Sequence, residues 1–508
     1  MIESDMHLVQ SPLYRAGNNG YYCNYIEALQ ICGNELHWDP TAIMSIICFC
    51  YASGDRTLLT EIKRKPWLSE LNENSEPVLK KIPEHGLLWR KAGEMAVEME
   101  KLLLDEAKKI CKDRDKVYLL LSGGLDSRIV AAILSNLYKD GYLKNKPIGV
   151  TWGIEGCSDV EYARDVAKIL DFEWIHLSNS ADVLLHNIKI APEMIGSMVP
   201  PNHLHNLDWF RQVSPDALVL AASYGDSVGR AEYSGKHLVE LRNLIPCNAY
   251  GLLKTDAASD AIENVKKDFD ELNSRCPKGT ARYVLLENRM EGVYMRNMLG
   301  QVTSLITRYC DYYQMFTAPE VYGYMWSIHP VCRNNDMYAE LLKRLNPQLA
   351  HLPWARTNKA LRGKTIGQRE NLKPAHHKYR DWIAADVYKR YAEYVSPDWF
   401  EATGLFDPSA ISKLSIVIKE GKVSDLRPYE IWSWLITFRK FAEMVERTGR
   451  KIKNYKGSAT PNILTVNTYN RSFLRRILSK SKLIRRIFAR IRKSFLKRQI
   501  KKKYPPVF

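Results

Sequence analysis

The sequence predicts an α/β fold: a parallel sheet followed by a mostly helical C-terminal part. Three observations carry this. Short apolar runs alternate with stretches of helical period between residues 116 and 223. A glycine-rich turn joins the first run directly to the first helix. From about residue 240 to 455 the chain reads as mostly helical, with many aromatics and loops such as HLPWARTNKALRGK.

KVYLLL (116–121) is a buried strand: short, apolar and flanked by charge. Ser-Gly-Gly turns it, and DSRIVAAILSNLYKDG (126–141) is a helix. Ile129, Val130, Ile133, Leu134 and Leu137 share one face, and Gly141 ends it. KPIGVTW (146–152) is a second strand. SDVEYARDVAKILD (158–171) is a second helix, with Ser158 or Asp159 at its N-cap. FEWIHL (172–177) is a third strand, and DALVLAAS (216–223) is a later one ending in YGDSVGR. Strand and helix in alternation imply a parallel sheet with right-handed crossovers. Residues 1–110 are less regular.

Composition is that of a globular protein: 508 residues, 45% hydrophobic and 26% charged. No run of about 18 apolar residues predicts a membrane span. The start, MIESDMHLVQSPLYRAG, lacks a basic segment followed by an apolar one, so no secretory signal is expected. Ten scattered cysteines contain no Cys-x-x-Cys pair, which predicts reduced, buried thiols in a cytoplasmic protein rather than a metal–thiolate site. The net charge of +17 is localised. Residues 471–508 hold 15 Lys or Arg and no acid, and without them the charge is +2.

The Gly-Gly turn carries the chemistry. In an open parallel sheet, ligands bind beyond the carboxyl ends of the strands. The following helix presents its first N–H groups and its positive dipole end there. Gly123 and Gly124 allow close backbone approach to an anion, and Ser122 and Ser127 add hydroxyls. The stretch is neither GxxxxGK[ST] nor GxGxxG. Asp126 would repel a phosphate unless a divalent cation lies between them, and this donor set suits Mg²⁺. A tight turn with Asp126 capping the helix is the alternative.

SGGLDS in this setting resembles the pyrophosphate loop of the adenine nucleotide alpha-hydrolases, the PP-loop group that cleaves ATP to AMP and pyrophosphate. Flanking stretches are similar to the asparagine synthetase branch. HWDPTAIMSIICFCYASGDRTLLTEIKR (37–64) resembles the segment joining that family's glutaminase and synthetase domains. KKIPEHGLLWR (80–90) looks like part of the strand pair after it. TWGIEGCSDVEYARDVAKIL (151–170) looks like its second strand and helix start. HNLDWF and the late Gly-Asp follow in the expected order, and the likeness spans roughly residues 35–370.

The resemblance implies ATP as substrate and Mg²⁺ as cofactor. It implies that Ser122, Gly123, Gly124 and Ser127 hold pyrophosphate and that Asp126 and Asp226 bind magnesium. Leu121, Val150 and Thr151 would border adenine and ribose. Lys359 in WARTNK would contact pyrophosphate, with Arg356 nearby and Lys364 as an alternative. Implied domains are an N-terminal region (1–90), a synthetase-like domain (91–455; nucleotide core about 111–235, helical part about 236–455) and a basic tail (456–508).

Two departures stand out. The family's glutaminase needs a cysteine directly after Met1 and roughly 200 residues, but this chain begins Met1-Ile2. Its nitrogen is therefore expected from ammonia, another amine or a separate glutaminase. The family's acidic loop after the fourth strand reads Ser223-Tyr224-Gly225-Asp226-Ser227 here. Related lactam-forming synthetases carry a tyrosine there that works with a glutamate. Glu287 or Glu291, four apart and on one face if helical, would partner Tyr224 as a base. A packed tyrosine and two solvated acids is the plainer alternative.

The resulting expectation is an ATP-dependent carbon–nitrogen ligase that adenylates a small-molecule or glycan-linked carboxylate and passes it to an amine. Rivals are intramolecular amide formation, a tRNA-modifying relative and a non-catalytic nucleotide-binding scaffold. In the tail, Leu474, Ile477, Ile484, Ile487, Phe488, Ile491 and Phe495 form a stripe among cations. This amphipathic helix would suit the inner membrane surface, RNA or an acidic partner.

Overall fold

The computed structural model describes residues 13–17, 20–231 and 246–457. Five strands form a parallel sheet: β1 (Val117–Leu120), β2 (Ile148–Gly153), β3 (Glu173–Ser178), β4 (Leu218–Ala221) and β5 (Asp311–Gln314). Their spatial order is β5-β4-β1-β2-β3. Register pairs Leu120 with Val150, Val150 with Ile175, Leu218 with Val117 and Leu218 with Asp311. The order reverses between β1 and β4, which opens a crevice at their carboxyl ends. β1 and β4 are buried throughout, as expected of central strands.

β5 corrects the reading of 240–455 as helical: Asp-Tyr-Tyr-Gln there adds an edge strand. Its aromatics are core, with Tyr312 and Tyr313 buried alongside Phe316 and Trp326.

The helices follow from the apolar stripes. We label α1 (Pro40–Phe49), α2 (Ala92–Cys111), α3 (Asp126–Lys139), α4 (Ser158–Leu170), α5 (Ala181–Ile195), α6 (Thr255–Ser274), α7 (Asn335–Leu345) and α8 (Arg427–Arg447). α3 buries Ile129, Val130, Ile133, Leu134 and Leu137 and packs against α2, α4 and α7. Gly141 follows it at φ 79°, where a side chain would be strained. α4 starts differently from expectation. Cys157 holds the N-cap position without a side-chain bond, and Asp159 turns its carboxylate elsewhere.

The N-terminal region is built into the body. Arg56 grips Asp268 of α6 through Nε (2.8 Å) and a terminal nitrogen (2.9 Å), and also donates to Asp39 at 3.0 Å. Such forked pairs fix geometry as well as charge. Glu35–His37 pairs in parallel with Lys451–Lys453 beyond α8. The N-terminal strand pair is Ser69–Leu71 with Pro77–Leu79, so residues 80–90 lie after it rather than within it. Leu88 bridges to Ile328.

No helix among the described residues is long and apolar enough to cross a membrane. No disulfide joins any of the ten cysteines, all of which lie among the described residues. The amphipathic stretch expected at 471–508 lies outside the described residues.

Candidate functional site

The loop after β1 coils tightly. Ser122 N–H donates to Ser127 Oγ at 3.1 Å, and Gly124 N–H donates to Ser122 Oγ at 3.1 Å. Gly123 N–H donates to the Asp159 carboxylate. Every amide of the turn thus points at an oxygen. A Cβ on Gly123 would stand 2.8 Å from Ala355 Cβ and 2.9 Å from the Ser158 carbonyl, so only glycine fits. Behind the turn, Leu121 N–H donates to Val150 O at 2.9 Å, and Thr151 Oγ1 donates to Leu121 O at 2.8 Å. These three side chains are buried and brace the β1–β2 edge.

The loop after β4 presses on the same turn. A Cβ on Gly225 would lie within 2.7 Å of Asp126 Cβ and Cγ, and closer still to Oδ1. Leu125, not Asp126, holds the N-cap position of α3, and Asp126 is the first residue of the helix. Asp126 Oδ2 accepts from Arg230 at 3.1 Å, while its buried Oδ1 has no hydrogen-bond donor. Arg230 lies between two rings, 5.2 Å from Tyr338 and 5.3 Å from Trp354. Asp226 is half-buried in this loop, and both it and Asp126 act electrostatically on Tyr338.

A third loop, 349–359, closes over the turn. Ala355 N–H donates to Gly123 O at 3.1 Å. Arg128, buried one residue past the motif, binds four carbonyls: Leu349, Leu352, Pro353 and Gly123. Burial pulls its pKa down to about 10. Lys359 and Arg356 are exposed on this loop, and Lys359 O accepts from Trp354 N–H at 3.0 Å. Arg356 stacks 4.7 Å over Trp354 and faces Asp159. Burial raises Asp159's pKa, with Arg356 and the Gly123 amide opposing. A carboxylate drawn into the turn by an amide and a guanidinium shows what this cradle attracts. Lys364 lies farther along the chain, its carbonyl bound by His351 at 3.0 Å.

The predicted acids are buried rather than solvated. Glu287 ends the helix Arg282–Arg289, and Glu291 opens the wider helical stretch Met290–Gly300. Burial, then the Glu287 charge, hold Glu291 well above the usual carboxylate range; Ser227 and Arg333 oppose this. Burial also acts to raise Glu287, but the Arg333 ion pair and His85 outweigh it and pull it below the usual value. The two neighbouring acids are thus shifted in opposite directions. Arg333 ties this pair to the β4 loop by donating to Val228 O at 2.9 Å.

Tyr224 is placed differently from expectation. Its phenol is buried and donates to Met295 O at 3.0 Å, hydrogen-bonding neither glutamate. Burial pushes its pKa well above 10, with Tyr312 and then Glu291 adding to the rise.

Sequence reasoning missed Arg128, Arg230, Asp159, Arg333 and His85. Arg230 could have been found at four residues beyond Asp226. The others are joined only by tertiary packing.

The donor set fits a nucleotide with a divalent cation. A buried carboxylate oxygen without a donor faces a second acidic loop across a turn that any Cβ would fill. Hard oxygen ligands of this kind suit magnesium.

A five-stranded parallel sheet with this loop at its switch point defines a nucleotide-binding α/β domain of the PP-loop type. The sequence profile of the asparagine synthase family matches residues 98–201, from α2 past α5, including the whole turn. Over that stretch the chain is similar to the synthetase domain of the asparagine synthase family, a family of ATP-dependent amide-forming synthetases. Among curated proteins, none matches the chain.

Proposed function

We propose that this protein uses ATP to activate a carboxylate as an acyl-adenylate and transfers the acyl group to an amine, releasing AMP and pyrophosphate. The reading rests chiefly on the contact between the Ser122–Ser127 turn and the Gly225–Asp226 loop, with Asp126 between them.

The substrate carboxylate attacks the α-phosphorus, and pyrophosphate departs into the amides of Ser122, Gly123 and Gly124. For pyrophosphate to enter, the Ser127 and Ser122 hydroxyls must yield the Ser122 and Gly124 amides, and Asp159 must yield the Gly123 amide. Its raised pKa eases that exchange. Lys359 and Arg356, exposed on the 349–359 loop, would meet the leaving charge. Asp126 and Asp226 would hold Mg²⁺, which supplies charge neutralisation on the phosphates. The amine then attacks the acyl carbon while AMP leaves, and confinement of both reactants makes this step effectively intramolecular. Glu291, its pKa raised by burial and its carboxyl tied to Ser227, would exchange a proton with groups beside the β4 loop.

The carboxylate is a small molecule or a glycan-linked acid. The amine is ammonia, free or delivered by a separate glutaminase, or a second substrate. The 471–508 cations and apolar stripe support a cytoplasmic protein resting on an anionic inner membrane surface or an acidic partner. Co-sedimentation with phosphatidylserine vesicles tests this.

ATP–pyrophosphate exchange across a panel of carboxylic acids, followed by AMP release with ammonium, tests the chemistry. Exchange that depends on one class of acid supports the reading. Absence of ATP binding to the intact protein sinks it.

A further inference from the structure

A second cavity, of about 570 Å³, lies between the N-terminal region, α6 and the Met290–Gly300 stretch. No residue of the 121–127 turn or the 225–230 loop lines it. Trp67 forms part of its wall and is fixed there by Gly292, where a Cβ would come within 2.8 Å of the indole Cδ2.

Its wall is densely charged. Six Lys or Arg and four Asp or Glu line it among the described residues. Arg15 is paired with Glu76, Lys63 with Asp39 and Arg56 with Asp268, and Arg296 donates to Asp55 at 2.7 Å. Glu61 accepts from His37 and Thr60, and Glu271 is exposed. Arg64 and Arg275, by contrast, hydrogen-bond only uncharged oxygens. Arg64 binds Asn297 Oδ1 (2.6 Å) and Arg296 O (3.3 Å). Arg275 binds Lys80 O and Leu68 O. Arg64 and Arg296 are 3% and 2% exposed, and the Nε of each is a buried donor without an acceptor. Such orphaned donors are rare in native structures. Burial first, then the neighbouring Arg296 charge, lower Arg64 to about 10. Guanidinium forks match carboxylate and phosphate oxygens in pairs.

We propose that this cavity is a second ligand site, taking a small molecule through a carboxylate or phosphate group held by Arg64, Arg296 and Arg275. The site is separate from the nucleotide cradle, and the inference does not depend on the adenylation chemistry.

Calorimetric titration of the full chain with inorganic phosphate and, separately, succinate tests it at constant ionic strength. At least one probe should bind one-to-one, and the tighter one identifies the head group. Arg275→Gln should weaken that binding at least tenfold, and Arg64→Lys should do likewise if Arg275→Gln fails to fold. Gly123→Ala, which fills the cradle, and Arg282→Gln, which does not line the cavity, should leave it unchanged. No binding by either probe, or equal binding by both cavity variants, overturns the proposal. Loss in Gly123→Ala with retention in Arg275→Gln also overturns it, since the anion would then sit in the nucleotide cradle.

Discussion

Gly225→Ala places one methyl group between the two loops that meet at Asp126. Its Cβ would lie 2.7 Å from Asp126 Cβ and Cγ, whereas ordinary contacts begin at 3.4 Å. One loop must therefore retreat by most of an ångström. Asp126 cannot swing freely, because Oδ2 is held at 3.1 Å by Arg230, whose side chain is only 4% exposed and wedged between Tyr338 and Trp354. Overpacking of this kind costs about 1–3 kcal/mol in stability. A displacement of about 1 Å in a positioning group can cost about a hundredfold in rate. We expect calorimetry with a non-hydrolysable ATP analogue to show at least tenfold weaker binding. Gly93→Ala serves as the control, since Gly93 opens α2 with nothing within 4 Å of the added methyl. It should leave binding unchanged. Wild-type nucleotide affinity in a folded Gly225→Ala protein would refute the pairing of the two loops.

Other predictions follow from the buried charges. Glu287→Gln should cost about 3–5 kcal/mol, because it strands the fully buried Arg333. Glu291→Gln should stay within about 1 kcal/mol of wild type, since burial and the Glu287 charge already favour the uncharged form of that acid; urea melts of the two variants decide. Glu430 opens α8. Burial acts to raise its pKa, but His203, Arg427 and Asn202 more than offset this and bring it from 4.5 to about 2. A depressed acid stabilises above its unfolded value, so about 3 kcal/mol should be lost as pH falls from 4.5 to 2. Glu430→Gln should flatten that acid limb in melts recorded against pH, and an unchanged limb contradicts the assignment. Chelating divalent cations should weaken ATP-analogue binding at least tenfold in the wild type and far less in Asp126→Asn, as read by calorimetry.

The central sheet was legible because β1, β2 and β4 are buried and carry continuous apolar runs that end at turns. The turn itself was legible because two glycines and a Ser-Asp pair have few structural uses between a strand and a helix. β5 was not, since Asp-Tyr-Tyr-Gln is short and polar at both ends, and becomes a strand by docking on β4. Asp159 read as a helix cap because Asp near a helix start usually is one. Only the folded chain shows it reaching across to Gly123. Tyr224 carried a pattern suggestive of a base, but pattern cannot reveal that its phenol donates a hydrogen bond to the backbone carbonyl of Met295.

The strand at 451–453 has a bearing on how the protein is made. It zips onto 35–37, and Arg450 beside it caps the carbonyl of Cys32, 418 positions earlier. A nascent chain therefore cannot complete this two-stranded sheet until almost the last of the described residues has left the ribosome. Contacts so distant in sequence slow folding and leave early segments exposed meanwhile. Synthesis from the amino end should thus yield a central sheet first and a finished amino-terminal region last. Shortening the chain before residue 450 should loosen its beginning before it disturbs the nucleotide turn.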